Sequence, residues 1–216
     1  MPAALALVRR NVAMPAPLIP IDLLRNPVFA LSVTASICAF VAFIIAFVAL
    51  PFYFENALGL DQVETGLLMT PWPVALGLAA PIAGHLSDRV PSGWLGALGM
   101  ALLALGLALL ATLPADATLV GIAWRMALCG LGFGFFQAPN NRTMLSAAPR
   151  TRSGAAGGML AVARLLGMTL GATLTALVFH LTPERAEPVS LLIATLFAIA
   201  AGVASSLRLS RRTRLV

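Results

Sequence analysis

The sequence contains no lysine, so all 14 of its basic residues are arginines, and it has only eight acidic residues. Charged residues of both signs make up 10% of the 216 residues, whereas soluble domains carry about 25%. The formal net charge of +6 does not indicate nucleic acid as a partner, because the arginines are scattered between hydrophobic runs. The scarcity of charge excludes a typical soluble domain.

Motifs of catalysis and of metal binding are also missing. The chain has no G-x-S-x-G elbow, no phosphate-binding loop, no clustered histidine or cysteine and no paired acidic motif. Its two cysteines, Cys38 and Cys129, lie inside apolar runs, where packing accounts for them. We therefore expect no enzyme, no metal site and no cofactor.

Hydrophobic residues make up 60% of the chain, and the mean hydropathy is +0.95. Apolar runs of roughly 20 residues, the length that crosses a bilayer as a helix, recur along the chain. The prediction is an all-α, polytopic membrane bundle of six transmembrane helices over residues 28–208. A linker segment (1–27) precedes it and a basic tail (209–216) follows it. The spans are predicted near 28–54, 62–86, 93–113, 117–141, 153–181 and 188–208.

Polar residues between the spans predict where helices begin. Asp61 with Glu64 three residues later has the spacing of a capping box, and Asp116 and Ser153 are expected as further N-caps. Sequence similarity between the first three and the last three spans is not evident. Whether the two groups of three spans share one fold in opposite membrane orientations, as an inverted repeat, stays open.

The arginines also predict an orientation. With the N-terminus and the 86–93 loop in the cytoplasm, one arginine (Arg185) lies outside and eleven lie inside, namely Arg9, Arg10, Arg25, Arg89, Arg142, Arg150, Arg152, Arg208, Arg211, Arg212 and Arg214. This distribution follows the positive-inside rule. Both termini are predicted to be cytoplasmic, and the Arg-, Ala- and Gly-rich composition favours a bacterial inner membrane.

Several glycines have the spacing of helix-packing positions. Gly130, Gly132 and Gly134 stand two apart and so occupy both sides of the fourth span. Gly154 with Gly158, and Gly167 with Gly171, have small-xxx-small spacing, which lets helix backbones approach closely. Static packing is the simpler interpretation for any single glycine. Taken together, such faces also suit helices that move against one another.

Arg125 and Arg164 are the two arginines left within predicted spans. A charge at the centre of a transmembrane helix costs about 2.5–3.5 kcal/mol on insertion scales, so it normally faces a bundle interior or an aqueous cavity. We expect both residues to lie on a cavity or translocation path. The alternative is that either one snorkels or sits at a helix end.

A polar stretch after the second span carries the most specific motif. Gly84, Asp88, Arg89 and Gly93 stand in "GHLSDRVPSG", which resembles the G-x-L-a-D-r-x-G-r-k signature of the major facilitator superfamily. The second glycine of that signature falls two positions earlier, where this chain has Pro91. The basic pair that follows the signature is missing here.

The neighbouring residues extend this resemblance over roughly residues 15–208. "LPFYFENALGLDQVETGLLMTPWPVALGLAAPIAGHLSDR" resembles the first two helices of the C-terminal half of 14-helix drug:proton antiporters. "CGLGFGFFQAPNNRTML" and "RSGAAGGMLAVARLLGMTLGATL" resemble the fourth and fifth helices of the same half. The resemblance implies multidrug efflux by antiport, with small, amphipathic or cationic substrates and alternating access.

The resemblance also assigns expected roles to polar residues. Asn140, Asn141 and Arg142 are expected near an inner gate, where Arg142 or Arg150 would pair with Asp88 in the loop of Gly84 and Arg89. The alternative for this stretch is a capping and loop role.

The expected partners are the lipid bilayer, a small-molecule substrate and protons. A missing N-terminal six-helix half or a second copy would complete the fold, since six helices form one wall of a cavity. No acidic residue lies within a predicted span, so this half supplies no evident proton carrier unless Glu55 or Glu64 is buried. The alternative function is a non-transporting membrane remnant or assembly subunit that packs against a partner.

Overall fold

The computed structural model describes residues 21–114 and 117–212. These residues are almost entirely helical and contain no strand, which confirms the all-α prediction. The helices are α1 (Pro27–Phe52), α2 (Gln62–Met69), α3 (Pro71–Leu86), α4 (Ser92–Ala111), α5 (Leu119–Ala147), α6 (Ser153–Leu181) and α7 (Ala186–Arg212). Short 3-10 turns cover Ile21–Arg25, Arg150–Arg152 and Pro183–Arg185, and a π-helical turn, Tyr53–Ala57, extends α1.

Six helical segments among the described residues are long and apolar enough to cross a membrane, and α2 and α3 together form the second. They correspond to the six predicted spans. The break between α2 and α3 falls at Thr70, just before Pro71, because proline has no amide hydrogen with which to continue the helical hydrogen-bond pattern.

The helix of the fourth span extends beyond its predicted end. The fourth span continues from residue 141 to Ala147, because Pro139 lies inside the helix and does not end it. Thr143 Oγ1 donates to the Pro139 carbonyl oxygen at 2.8 Å. Asn140, Asn141 and Arg142 are therefore helical residues, and the alternative that they form a cap or loop is wrong.

The predicted segment boundaries at the two ends of the chain also shift. Ile21–Arg25 and Pro27 of the predicted linker are already helical, and α7 continues into the predicted tail as far as Arg212. The remainder of the linker (1–20) and the last four residues lie outside the described residues.

Of the three predicted N-caps, the one at Asp61 is confirmed. Its Oδ1 accepts hydrogen bonds from the amides of Val63 and Glu64, both at 2.8 Å, and the Glu64 side chain accepts from the Asp61 amide. α5 begins two residues later than expected, and Thr118 caps it by accepting from the Gly121 amide. Asp116 lies outside the described residues.

The third predicted N-cap, Ser153, is instead the first residue of α6. The preceding 3-10 turn leads directly into the helix, and the N-cap position falls on Arg152, which makes no side-chain cap.

The helices form a central ring of four with one helix on each side. α1, α7, α4 and α5 pack in that order, and α5 returns to α1. α3 flanks the ring on α5, and α6 flanks it on α1. The first span corresponds to the fourth, the second to the fifth and the third to the sixth. When corresponding spans are exchanged, each of these packed pairs becomes a packed pair of the bundle. The packing therefore has the inverted-repeat symmetry that the sequence left open.

Large aromatic side chains and closely packed glycines fill the junctions. Phe40, Phe43 and Phe47 of α1 lie against Trp72 of α3 and Phe133 of α5, with ring centroids 4.9–5.9 Å apart between the helices. Burial of such rings supplies much of the packing between α1, α3 and α5.

We name the two ends of the bundle after acidic residues. The Asp88 end holds the connection from α3 to α4, the connection from α5 to α6, the start of α1 and the end of α7. The Asp61 end holds the turn between α1 and α2 and the connection from α6 to α7.

Candidate functional site

The short loop between α3 and α4 places Asp88 against α5. Asp88 Oδ1 lies 2.5 Å from Nη1 of Arg142, and the same nitrogen donates to Ser87 Oγ at 2.9 Å. The two side chains are 57% and 58% exposed, and solvent-exposed pairs contribute little to stability. This ion pair joins two elements at the surface and can break at low cost.

The motif residues around Asp88 divide between loop and helices. Gly84 lies in the last turn of α3 and accepts a 2.7 Å hydrogen bond from Ser87 Oγ. Arg89 is exposed and lines a cleft of about 690 Å³ at this end. Gly93, two positions later than in the signature, lies in α4, where an added Cβ would approach within 3.1 Å of the Ser205 carbonyl oxygen of α7.

Arg150 is not brought to Asp88. It is exposed on the 3-10 turn that precedes α6, and no ion pair of the described residues includes it. The neighbouring Arg152 instead forms a bidentate pair with Asp22, at 2.9 and 3.3 Å. Sequence reasoning missed this pair, because Asp22 lies in the segment interpreted as a linker.

The two predicted asparagines differ sharply. Asn140 is buried: its Oδ1 accepts from Arg208 Nη1 at 2.7 Å, and its Nδ2 donates to the Ser32 carbonyl oxygen at 3.3 Å. Asn141 is partly exposed. Asn140 therefore belongs to a buried polar cluster, whereas Asn141 lies on the partly exposed surface of α5.

Arg208 is the centre of that cluster. Its guanidinium also donates to Ser32 Oγ at 2.9 Å and to Ser205 Oγ, so that it connects α1, α5 and α7. Arg208 is 4% exposed. Sequence reasoning placed it among the orienting arginines, since nothing in its neighbourhood distinguishes a buried arginine at a helix end from a solvated one.

Arg164 lies eleven residues into the 29-residue α6, about 16 Å along the helix axis. It is exposed on the surface of the bundle, with its guanidinium carbon 5.3 Å from the ring centroid of Phe40. Phe43 and Phe47, which stack at 4.4 Å and are partly exposed, continue this aromatic surface. A cation at mid-span thus lies beside a set of aromatic rings.

Arg125 lies two turns into α5. Its Nη1 donates to the Gly121 carbonyl oxygen at 2.6 Å, and its guanidinium lies 4.6 Å from the Trp124 ring centroid. Trp124 is 47% exposed. These contacts hold Arg125 near the Asp61 end, so its place on a translocation path remains a prediction.

The glycines also fall into two groups. An added Cβ on Gly130 or Gly134 would meet α3, at the Trp72 carbonyl oxygen and at Ala79 Cβ respectively, and one on Gly167 or Gly171 would meet α1. An added Cβ on Gly154 or Gly158 would meet nothing within 4 Å. The first group lies at helix contacts of this bundle, and the second lies on an uncovered face.

Comparison with known proteins decides the family. The model of the Major Facilitator Superfamily matches residues 3–172, which is most of the chain. The chain belongs to the Major Facilitator Superfamily. As a member of this superfamily it is a multi-pass membrane protein of a transporter family, and its six spans form half of the superfamily fold.

Three curated members of the superfamily illustrate the relationship. An uncharacterized transporter from Escherichia coli, YebQ, is 50% identical over 94% of this chain and 45% of its own length. The riboflavin transporter RibZ of Clostridioides difficile is 32% identical over 77% of the chain and 37% of its own length. A tetracenomycin C resistance and export protein of Streptomyces glaucescens is 31% identical over 72% and 29%. The chain spans less than half the length of each of these relatives.

Proposed function

We propose that this chain is the C-terminal half of a secondary active transporter that exports small molecules in exchange for protons by alternating access. The observation that carries the proposal is the exposed position of Arg164 at mid-span. A charge at this depth is costly against lipid and is tolerated beside protein or water. The face that carries Arg164 therefore lines a cavity in the assembled transporter.

The neighbouring rings supply the rest of the cavity wall. Phe43 and Phe47 are partly exposed beside the Arg164–Phe40 contact, and pockets for organic ligands combine aromatic walls with a few polar groups. This wall suits amphipathic compounds with an aromatic part. The polar group of this wall, Arg164, is a cation. Binding of the cationic substrates that the resemblance implies would therefore need acidic groups from another part of the transporter.

The other wall belongs to a second six-helix unit. α3 packs mainly on α5 and α6 on α1, and each leaves an open face. Those faces hold glycines whose added Cβ would meet nothing within 4 Å, namely Gly77 and Gly84 of α3 and Gly154, Gly157 and Gly158 of α6. Because the chain spans 45% of the E. coli relative, we assign this surface to an N-terminal six-helix half, with a second copy of this chain as the alternative.

The Asp88–Arg142 pair is proposed as part of an inner gate, with the Asp88 end in the cytoplasm of a bacterium. A contact that exists in one conformation and breaks in the other shifts the balance between them. The pair joins the α3–α4 loop to α5 with both side chains exposed, which is the arrangement that such a contact requires.

Proton exchange is assigned to the other half. Glu55 and Glu64 are both exposed near the Asp61 end, and Glu64 is engaged in the capping box of α2. Neither is buried within the bundle, so the intramembrane carboxylate that proton exchange requires would lie in the other half.

The experiment uses everted membrane vesicles and ethidium, a cationic aromatic dye. One preparation contains this chain alone, and another contains a chimera in which the chain replaces the part of the E. coli relative that it matches. Ethidium uptake by the chimera that is driven by a proton gradient and abolished by an uncoupler supports the proposal. Uptake by the chain alone would instead favour a second copy as the other half. Absence of uptake in both preparations, at normal membrane levels, contradicts the proposal.

The cavity role of Arg164 is tested in whichever preparation transports. We expect Arg164→Ala to reduce uptake at least about tenfold, because removal of a charged contact typically costs more than 1.4 kcal/mol. Arg185→Ala, at an exposed arginine of the Asp61 end, is the matched control. Equal uptake by the wild type and both variants would mean that Arg164 has only a packing role.

A further inference from the structure

We propose that the cleft at the Asp88 end is a binding site for a phosphate group, supplied by an anionic lipid headgroup or by free phosphate. Three features converge on this cleft of about 690 Å³: a buried arginine without an acidic partner, an exposed arginine, and the start of a long helix without a side-chain cap. The proposed transport function does not require such a site.

The first feature is the charge of Arg208. Its hydrogen-bond acceptors are Ser32, Ser205 and Asn140, all of them neutral. A buried charge is costly unless an opposite charge compensates it. Arg208 is 4% exposed and still lines the cleft, so an anion in the cleft would provide the missing counter-charge.

The acidic residues that the structure describes do not take this place. In the described part of the chain, the acidic residues at the Asp88 end are Asp22 and Asp88, and each already pairs with another arginine. The other described acidic residues, Glu55, Asp61, Glu64, Glu184 and Glu187, lie at the Asp61 end. No described carboxylate at the Asp88 end is therefore left to compensate the charge of Arg208.

The second and third features supply donors. Arg89 is exposed at the rim of the cleft. Pro91, Ser92 and Gly93 also line it, and α4 begins there with no side-chain hydrogen bond to its first amides. The N-terminus of a 20-residue helix attracts anions through its free amides and its dipole. The planar guanidinium of arginine commonly binds phosphate through two parallel hydrogen bonds.

The net charge of the cleft agrees with this assignment. Arg89, Arg142 and Arg208 line it together with one carboxylate, Asp88. Because Asp88 pairs with Arg142, the charges left uncompensated in the cleft are those of Arg89 and Arg208. Basic pockets between transmembrane helices are typical sites of anionic lipid headgroups, and a small inorganic anion has the same chemistry.

The test measures thermal unfolding of the full chain purified in a non-ionic detergent without phosphate. Three probes are titrated at constant ionic strength: inorganic phosphate, short-chain phosphatidylglycerol and short-chain phosphatidylcholine. A ligand that binds the folded state raises Tm with concentration. We expect phosphatidylglycerol or phosphate to raise Tm, and chloride at the same ionic strength to leave it unchanged.

Variants locate the site. Arg208→Gln and Arg89→Gln should each raise the half-saturating concentration about tenfold, as expected for loss of a charge-assisted hydrogen bond. Arg25→Gln, at an exposed arginine of the same end, is the matched control and should bind as the wild type does. Asp88→Asn should bind more tightly, because it removes the carboxylate from the cleft and frees Arg142. A purely structural role of Arg208 predicts no such gain.

The outcomes distinguish the two sources of the phosphate group from each other and from failure of the proposal. Saturation by phosphatidylglycerol with competition by phosphate identifies a lipid headgroup, and saturation by phosphate alone identifies a free anion. If Arg208→Gln does not fold, the Arg89→Gln and Asp88→Asn variants decide. Tm shifts that are absent, equal for phosphatidylcholine, or equal in Arg25→Gln and Arg89→Gln overturn the proposal.

Discussion

At the scale of single residues, the two arginines of the Asp88 end show how differently one side chain can be used. Arg142 meets a carboxylate in an exposed ion pair, and Arg208 meets hydroxyl and amide groups in a buried cluster. An exposed pair is worth at most about 1 kcal/mol, whereas breaking a buried polar cluster costs more, because it leaves polar groups without partners. We expect the first to matter for conformation and the second for stability.

The neighbouring asparagines offer a direct test of the buried cluster. Asn140→Ala should destabilise the chain by about 1–3 kcal/mol, because it leaves Arg208 Nη1 without one of its acceptors in a buried site. Asn141→Ala, at a partly exposed position one residue later, should change stability by no more than about 0.5 kcal/mol. Thermal or denaturant unfolding in detergent measures both. Equal losses would mean that the cluster does not contribute as argued.

The residue scale is also where sequence reasoning reached least far. It named Arg142 as one of two candidates for pairing with Asp88, and that contact is present. It interpreted Arg208 as an orienting charge, because periodicity and charge distribution do not reveal which side of a helix end faces a neighbour. Contacts such as Arg152–Asp22 join residues 130 positions apart, a separation that no local pattern encodes.

At the scale of elements, the six spans followed from apolar run length, since a bilayer fixes the length of a crossing helix. The ends of helices followed less well. The capping box at Asp61 is a strong local signal and was correct. The end of α5 was placed too early, because apolar run length alone does not show that a transmembrane helix continues through Pro139 and the polar residues after it.

The glycines give an element-scale prediction with a matched pair. Gly130→Ala should destabilise the chain by about 1–3 kcal/mol, because the added Cβ would overlap the Trp72 carbonyl oxygen where α5 crosses α3. Gly154→Ala should be neutral or stabilise by up to about 1 kcal/mol, since its Cβ meets open space and alanine favours a helix. Unfolding of the chain alone measures both.

The same substitution has a second expected effect in the assembled transporter. If α6 packs on another half through Gly154, the alanine that is harmless in the chain alone should reduce transport by the chimera. Full transport by Gly154→Ala would show that no close helix contact forms at that position.

At the scale of the whole molecule, the bundle is two inverted triplets of spans that meet around α1 and α5. Within such a unit the ring of four helices is closed, and α3 and α6 remain at its margins. The Asp88–Arg142 pair lies within one such unit, where it holds the α3–α4 loop against α5, so breaking it would free this loop to move when two six-helix units rock against each other.

This arrangement predicts the effect of removing that contact. Asp88→Asn should leave the unfolding temperature nearly unchanged and should alter both transport by the chimera and the fraction of molecules open to the cytoplasm. The control is Asp22→Asn, which removes the other ion pair of the same end. Vesicle uptake and cysteine accessibility from each side measure the two quantities. Wild-type values of both in Asp88→Asn would contradict a gating role.

The exposed position of Arg164 also bears on how cells would make and retain this chain. A span that presents a guanidinium to acyl chains inserts less favourably, by about 2.5–3.5 kcal/mol at the helix centre. Until another unit covers that face, α6 packs mainly on α1 and is the span that we expect to be most exposed to membrane proteases. The steady-state amount of the chain should therefore follow the supply of its complement, so that assembly would control abundance before any cargo is carried.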